Sequence, residues 1–209
     1  MKKLFIFIFI ICNFFISEAL VANSKKDFVP SSFRVKFEQS FKSTISGKLN
    51  KSQGQLGYRY PGQFRFEVFS PDKSIFVSNG KKSWYYTPPF DKDEEGEVVE
   101  KNDPGPFLPE FFDALKKGLK SGSIFTVEKK KDFYLITFSK DFSKKIGKSS
   151  TKLFFSTSNP TDISSLKEMV IVGTDNSEVH LVLSDFDEQP GSIESDFVFK
   201  IPPKTHISH

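Results

Sequence analysis

Cysteine is almost missing from this 209-residue chain, which has a single one at Cys12 beside one tryptophan, two methionines and three histidines. Cys12 falls inside the apolar stretch 4–16, which follows Lys2 and Lys3 and precedes the small residues Ser17, Ala19 and Ala22. That is the pattern of a secretory signal with a peptidase site. A lipoprotein signal would put a small residue directly before the modified cysteine, and Ile11 stands there, so Cys12 reads as signal filler. With residues 1–19 removed, the domain expected over residues 20–209 has no cysteine. That excludes disulfides and thiolate metal sites and leaves stability to a packed core, for which the length suffices as one domain. Long apolar runs are lacking too: the stretch 4–16 falls short of the ~20 residues that span a bilayer.

Catalytic constellations are equally scarce. His206 and His209 lie in a tail expected to fray. His180 sits in the strand-like run 178–183, on one face with Glu178 and Val182, as a solvated strand histidine. No Gly-x-Ser-x-Gly elbow and no His-Glu-x-x-His helix occurs. Ile146-Gly147-Lys148-Ser149 matches the end of a phosphate-binding loop, but Phe142 occupies the place of its first glycine. The acidic run 91–96 imitates the start of a calcium loop, yet its twelfth place is Asn102 rather than a bidentate glutamate. Asn50-Lys51-Ser52 is a sequon that matters only in a glycosylating pathway. Neither an enzyme nor a bound cofactor is expected. Thirty basic residues against 26 acidic ones, a net charge of +4, are too mild an excess to favour nucleic acid.

What the chain has instead is phenylalanine, 26 in all. Genome composition accounts for part of that excess; an aromatic-lined cavity for lipid chains accounts for it as well, since rings present large, rigid apolar area. Phe33, Val35 and Phe37 alternate with polar residues, as do Phe64, Phe66 and Val68 with Arg65 and Glu67, the period of strands with one buried face. Residues 75–77 run into Asn79-Gly80, a pair suited to a tight hairpin turn, and Trp84-Tyr85-Tyr86 returns before Pro88-Pro89. Further strands are expected at 124–127, 133–138, 152–156, 167–172, 178–183 and 197–200. Only residues 106–119 read as helix, with Phe107, Leu108, Phe111, Phe112, Leu115 and Leu119 at helical spacing, Asp103 as cap, and Lys116 and Lys117 left in solvent. The fold class is α+β, mainly β: one curled antiparallel sheet, a half-open β-barrel, covered by a short helical lid.

The ordered set Pro61, Phe64, Arg65, Phe66, Glu67, Pro71, Asp72, then Val77, Ser78, Asn79, Gly80, Lys81, Trp84, Tyr86 and Pro88 resembles the periplasmic outer-membrane lipoprotein carrier family, LolA. Phe197, Phe199 and Pro202 are similar to that family's closing strand. The resemblance implies a periplasmic carrier that holds the acyl chains of outer-membrane lipoproteins in a hydrophobic cavity. It would receive them from an inner-membrane ABC-type release complex and pass them to an acceptor at the outer membrane. The acyl-binding residues expected are Phe64, Phe66 and Val68, which alternation sets on one cavity-lining face, Trp84 and Tyr86, and Phe107 and Phe111, which the helix would place over the cavity mouth one turn apart. Two departures stand out: little chain is left for the family's first helix before Pro30, and Tyr60 occupies the place where many members carry an arginine that ties the barrel to its lid. A periplasmic sensor of similar fold, recognising lipoproteins or envelope stress without carrying cargo, is the alternative.

Overall fold

The computed structural model describes residues 26–208 apart from 45, 92, 106 and 191–193, so the expected signal lies outside the described residues. The strands in chain order are β1 (Ser32–Lys42), β2 (Leu49–Arg59), β3 (Gln63–Ser70), β4 (Ser74–Asn79), β5 (Ser83–Thr87) and β6 (Gly96–Lys101). Helix α1 (Leu108–Leu115) follows, then β7 (Phe125–Lys129), β8 (Tyr134–Phe138), helix α2 (Lys140–Ile146), β9 (Lys148–Phe155), β10 (Leu166–Gly173), β11 (Glu178–Asp187) and β12 (Thr205–Ser208). All twelve strands form one sheet in the order β12-β6-β5-β4-β3-β2-β1-β11-β10-β9-β8-β7. Every pairing is antiparallel except β12 on β6. The sheet curls without closing, since β12 and β7 remain its two edges.

Local chemistry explains the curl. Between Arg34 and Lys36 of β1 the paired β11 runs from Asp187 to Ser184, and between Gln53 and Gly54 of β2 the paired β3 runs from Ser70 to Val68, so β11 and β3 each carry a bulge, which bends and twists the strand that holds it. Gly54 also admits the Phe37 ring, whose Cζ would lie 2.5 Å from any Cβ placed there. The Asn79-Gly80 turn forms as its sequence dictates: the Asn79 side chain accepts the N–H groups of Lys81 and Lys82 at 2.9 Å each, and Gly80 takes φ +86°.

The concave face of the sheet is lined by Phe33, Val35 and Phe37 of β1, Leu56 and Tyr58 of β2 and Phe64 of β3, each no more than 2% exposed. Helix α1 packs against it with Phe111, Phe112 and Leu115 fully buried.

Several expectations are corrected. The helix expected over 106–119 is helical over Leu108–Leu115, with residue 106 outside the described set. Asp103 does not cap it: its carboxylate accepts the Gly105 N–H at 2.7 Å, because the Pro104-Gly105 bend separates it from the helix. Lys116 is not left in solvent, its side chain being 13% exposed, whereas Lys117 is at 80%. A second helix, α2, forms between β8 and β9, ended by Gly147 in the left-handed region at φ +65°. Strands β2 and β6 were not singled out in the sequence. Residues 197–200 are not a strand: a 3-10 turn spans Glu194–Phe197, and Phe199 turns its ring onto Trp84 and Tyr86 instead of joining a ladder. The tail expected to fray pairs with β6 as β12.

Candidate functional site

Strand β3 sets Phe64, Phe66 and Val68 on the concave face, with Arg65 and Glu67 on the other, as period-2 alternation requires. Phe64 is 1% exposed and Phe66 and Val68 are half-buried against the core. Phe66 stacks on Phe37 with ring centroids 4.2 Å apart, and Phe64 lies 6.3 Å from Phe76 of β4. Above them, α1 drives Phe112 edge-on into Phe33 at 5.4 Å and against Tyr58 at 5.5 Å. Phe107 and Phe111, one turn apart, are also in the core, where Phe107 meets Phe138 at 5.6 Å and Phe111 meets Phe125 at 5.8 Å. They therefore serve the β7–β8 end of the sheet, while Phe112 covers its middle. The spacing in the sequence made Phe112 visible as a buried helix residue but not as the residue over the cavity.

The interior so formed is apolar and filled. Between Phe33, Leu56, Phe66, Phe112, Met169 and Leu183 only about 10 Å³ remains free, on the order of a single water sphere.

Trp84 and Tyr86 are not brought to this interior. Val77 pairs with both Arg65 and Trp84, and Ile75 with both Glu67 and Tyr86, so the two aromatics share the convex face. There a strap formed by the chain after β11 covers them. Arg34 donates to the Asp196 carboxylate, with Nε at 3.0 Å, and Arg65 reaches the Asp196 carbonyl at 3.4 Å. Phe197 is 2% exposed, and Phe199 stacks on Trp84 at 6.2 Å and Tyr86 at 5.8 Å.

Several contacts tie the C-terminal end of α1 to the sheet and to the segment before β1. Tyr58 donates its phenolic hydrogen to Asp113 at 2.6 Å, and the Gly62 N–H reaches the same oxygen at 3.2 Å. Burial, and then the Asp113 carboxylate, pushes the Tyr58 phenol above its ordinary pKa. Lys116 lies over the Tyr60 ring at 4.8 Å and pairs with Asp27 at 2.9 Å. Hydrogen bonds from Lys117 and Lys116 hold the Asp27 carboxyl below the usual carboxylate range. Tyr60, at the place where an arginine was expected, thus meets the residue that ends α1 by a cation–π contact.

Among the described residues no cluster of three histidine, cysteine or carboxylate side chains could hold a metal ion, and no helix is long and apolar enough to cross a membrane.

The chain is similar to several known proteins. An outer-membrane lipoprotein carrier protein of Psychromonas ingrahamii is 36% identical over 94 residues, covering 42% of this chain and 46% of its own. One from Pectobacterium atrosepticum is 32% identical over 77 residues, covering 34% and 38%. The chain thus spans less than half the length of the curated relatives it matches. A LolA superfamily protein of Nitrosomonas europaea superposes with a TM-score of 0.45 at 10% identity, over 81% of this chain and 91% of that one. The family model described as Outer membrane lipoprotein carrier protein LolA matches residues 30–200, and the chain accordingly belongs to that family.

Proposed function

We propose that the protein is a periplasmic carrier, not an enzyme, that shields the acyl chains of outer-membrane lipoproteins between the concave sheet face and helix α1. The observation that carries this reading is the unbroken apolar lining from β3 through β1 to β10, roofed by the buried apolar side of α1. Each acyl CH₂ buried gains about 0.8 kcal/mol. A carrier must offer that shelter and still release its cargo, and an interior already filled by its own rings does both. Acyl chains enter by displacing Phe112 and spreading Phe66 and Phe37, and the same rings close again when the chains leave. Phe64, Phe66 and Val68 line the cargo site; Phe107 and Phe111 hold the lid down at its N-terminal half; Trp84 and Tyr86, facing the strap, take no part.

An inner-membrane ABC-type complex hands the cargo over and an outer-membrane acceptor of greater affinity takes it, so the carrier itself consumes no ATP. The test is lipoprotein release from inner-membrane vesicles. One lipoprotein should appear in solution per carrier, saturating as carrier is used up, and Phe66→Glu should abolish release while the purified variant still melts cooperatively. Release in repeated turnovers without an acceptor, or unchanged release by Phe66→Glu, would overturn the reading.

A further inference from the structure

Outside the sheet interior, an open groove of about 630 Å³ lies between the segment that precedes β1, the turn after α1 and the connection from β9 to β10. That size is in the range of sites for small organic ligands, about 300–1,000 Å³. Its floor is apolar. Phe28 and Tyr134 line it, and both set their rings against Phe155, at 6.1 and 5.8 Å, so the floor continues the packed core outward. Leu119, part of the same surface, packs against that core and remains half-buried.

The rim is cationic. Lys26, Lys117 and Lys120 stand around the groove. Lys26 pairs with Glu188 at 2.7 Å and Lys117 with Asp27 at 2.6 Å, while Lys120 has no ion-pair partner among the described residues. Asp27 also lines the groove and is held by Lys116 at 2.9 Å, so an anion bound to Lys117 and Lys120 leaves that carboxylate paired, and the exposed Lys26–Glu188 pair contributes little. A bare anion would leave the apolar floor wet, and a neutral lipid would leave Lys120 without a counter-charge. A ligand with an anionic head and one alkyl chain satisfies both parts.

We propose that this groove is a second binding site, separate from the sheet interior, for a single-chain anionic amphiphile. Its carboxylate or phosphate sits between Lys117 and Lys120, and its chain runs along Leu119, Phe28 and Tyr134. The assignment stands independently of the carrier reading.

The experiment titrates the mature protein with palmitate, 1-palmitoyl lysophosphatidate, hexadecanol and inorganic phosphate. The palmitate probe is also made in a photoactivatable form whose crosslinks are mapped by mass spectrometry. One palmitate or one lysophosphatidate should bind per chain and crosslink at residues 117–120 or 134. The doubly substituted K117E/K120E should bind at least about tenfold more weakly while still melting cooperatively. Binding of only one of the two anionic amphiphiles supports the site and names its source. Hexadecanol binding as tightly as palmitate, unchanged binding by K117E/K120E, or crosslinks confined to β1–β3 would overturn the proposal. Palmitate binding that appears only in a chain starting at Lys26 would assign the groove to the chain's own preceding residues and overturn it too. Lipoprotein release measured with K117E/K120E should stay intact; its loss together with palmitate binding would refute a separate site.

Discussion

Tyr58 and Asp113, 55 residues apart in sequence, share a 2.6 Å hydrogen bond that fastens helix α1 to strand β2. The same carboxylate oxygen holds the Gly62 N–H, so one side chain on the lid carries two bonds to the sheet. Tyr58→Phe removes the first at a cost of about 1.5–3 kcal/mol, the range for a hydrogen bond to a charged group. Hydrogen exchange should therefore quicken in α1 and leave residues 64–68 of β3 as protected as before. Equal acceleration in both elements would show that the bond secures the whole fold and not the lid.

Alkaline pH should weaken the same contact. The folded Tyr58 phenol lies above the ordinary tyrosine value of 10.0. Below that value folded and unfolded chains both keep the proton, and the stabilisation is complete. Above it the unfolded chain ionises first, so stability falls with rising pH by up to about 1.4 kcal/mol per pH unit from this one group. Urea midpoints of the wild type and of Tyr58→Phe, followed from about pH 9 to about pH 11, should converge as the wild type loses its advantage. A constant gap between the two curves would contradict the assignment.

Gly54 leaves no room for a side chain. A Cβ there would stand 2.0 Å from the Glu67 carbonyl oxygen and 2.5 Å from Phe37 Cζ, and the first of these is backbone that cannot turn aside. Gly54→Ala should destabilise by at least the 1–3 kcal/mol typical of about one added methyl in a packed core. Thermal melting reads the loss directly; a melting temperature equal to the wild type's would mean that β2 and β3 can part at this point.

Phe112→Ala should cost about 3–5 kcal/mol, as for other buried aromatic truncations. It also opens space next to Phe33 and Tyr58, the rings it touches. A fluorescent acyl probe of two chains should then bind more tightly to the variant than to the wild type, because the ring it must displace is gone. Weaker binding would indicate that Phe112 is itself part of the acyl contact surface.

Trp84, the single tryptophan, reports on the strap and not on the interior. Its ring stacks on Phe199, and its Nε1 donates to Glu100 at 3.0 Å on the convex face. Arg34→Ala, which frees Asp196, should shift its emission to the red. Loading the concave face with acyl chains should leave that emission where it is. A large shift on cargo binding would show that the two faces communicate.

Much of this arrangement was legible in the sequence, because period-2 alternation at Phe33–Phe37 and Phe64–Val68 states which face is buried without any tertiary information. Asn79-Gly80 likewise fixed its hairpin through its own turn chemistry. Strand β2 escaped because its first half, with Lys51, Gln53 and Gly54, carries little apolar signal, and it is recruited by the neighbours that pair with it. Helix α2 buries only Phe142, so its amphipathic signature is one residue wide, although Gly147 ends it in the left-handed region. The placement of Trp84 and Tyr86 was lost for a different reason. Alternation tells that neighbouring residues oppose each other, but a sheet covered on both sides gives aromatic residues a reason to point either way, and the strap that covers them comes from the far end of the chain.

That distance has a kinetic meaning. Strand β1 lies between β2 and β11, and its Arg34 meets Asp196, 162 positions later. A chain that emerges N-terminus first cannot complete its central strand, nor cover its convex face, until nearly its last residues are available. Folds dominated by such remote pairings fold slowly, in milliseconds to seconds, because loop-closure entropy is spent before the contacts form. The segment from β1 to β6 on its own is a run of hairpins with one edge of β1 open and Trp84 uncovered, a form with little to hold it. The N-terminal half of the sheet therefore lacks the neighbouring strand and the strap that complete it until the C-terminal residues are in place.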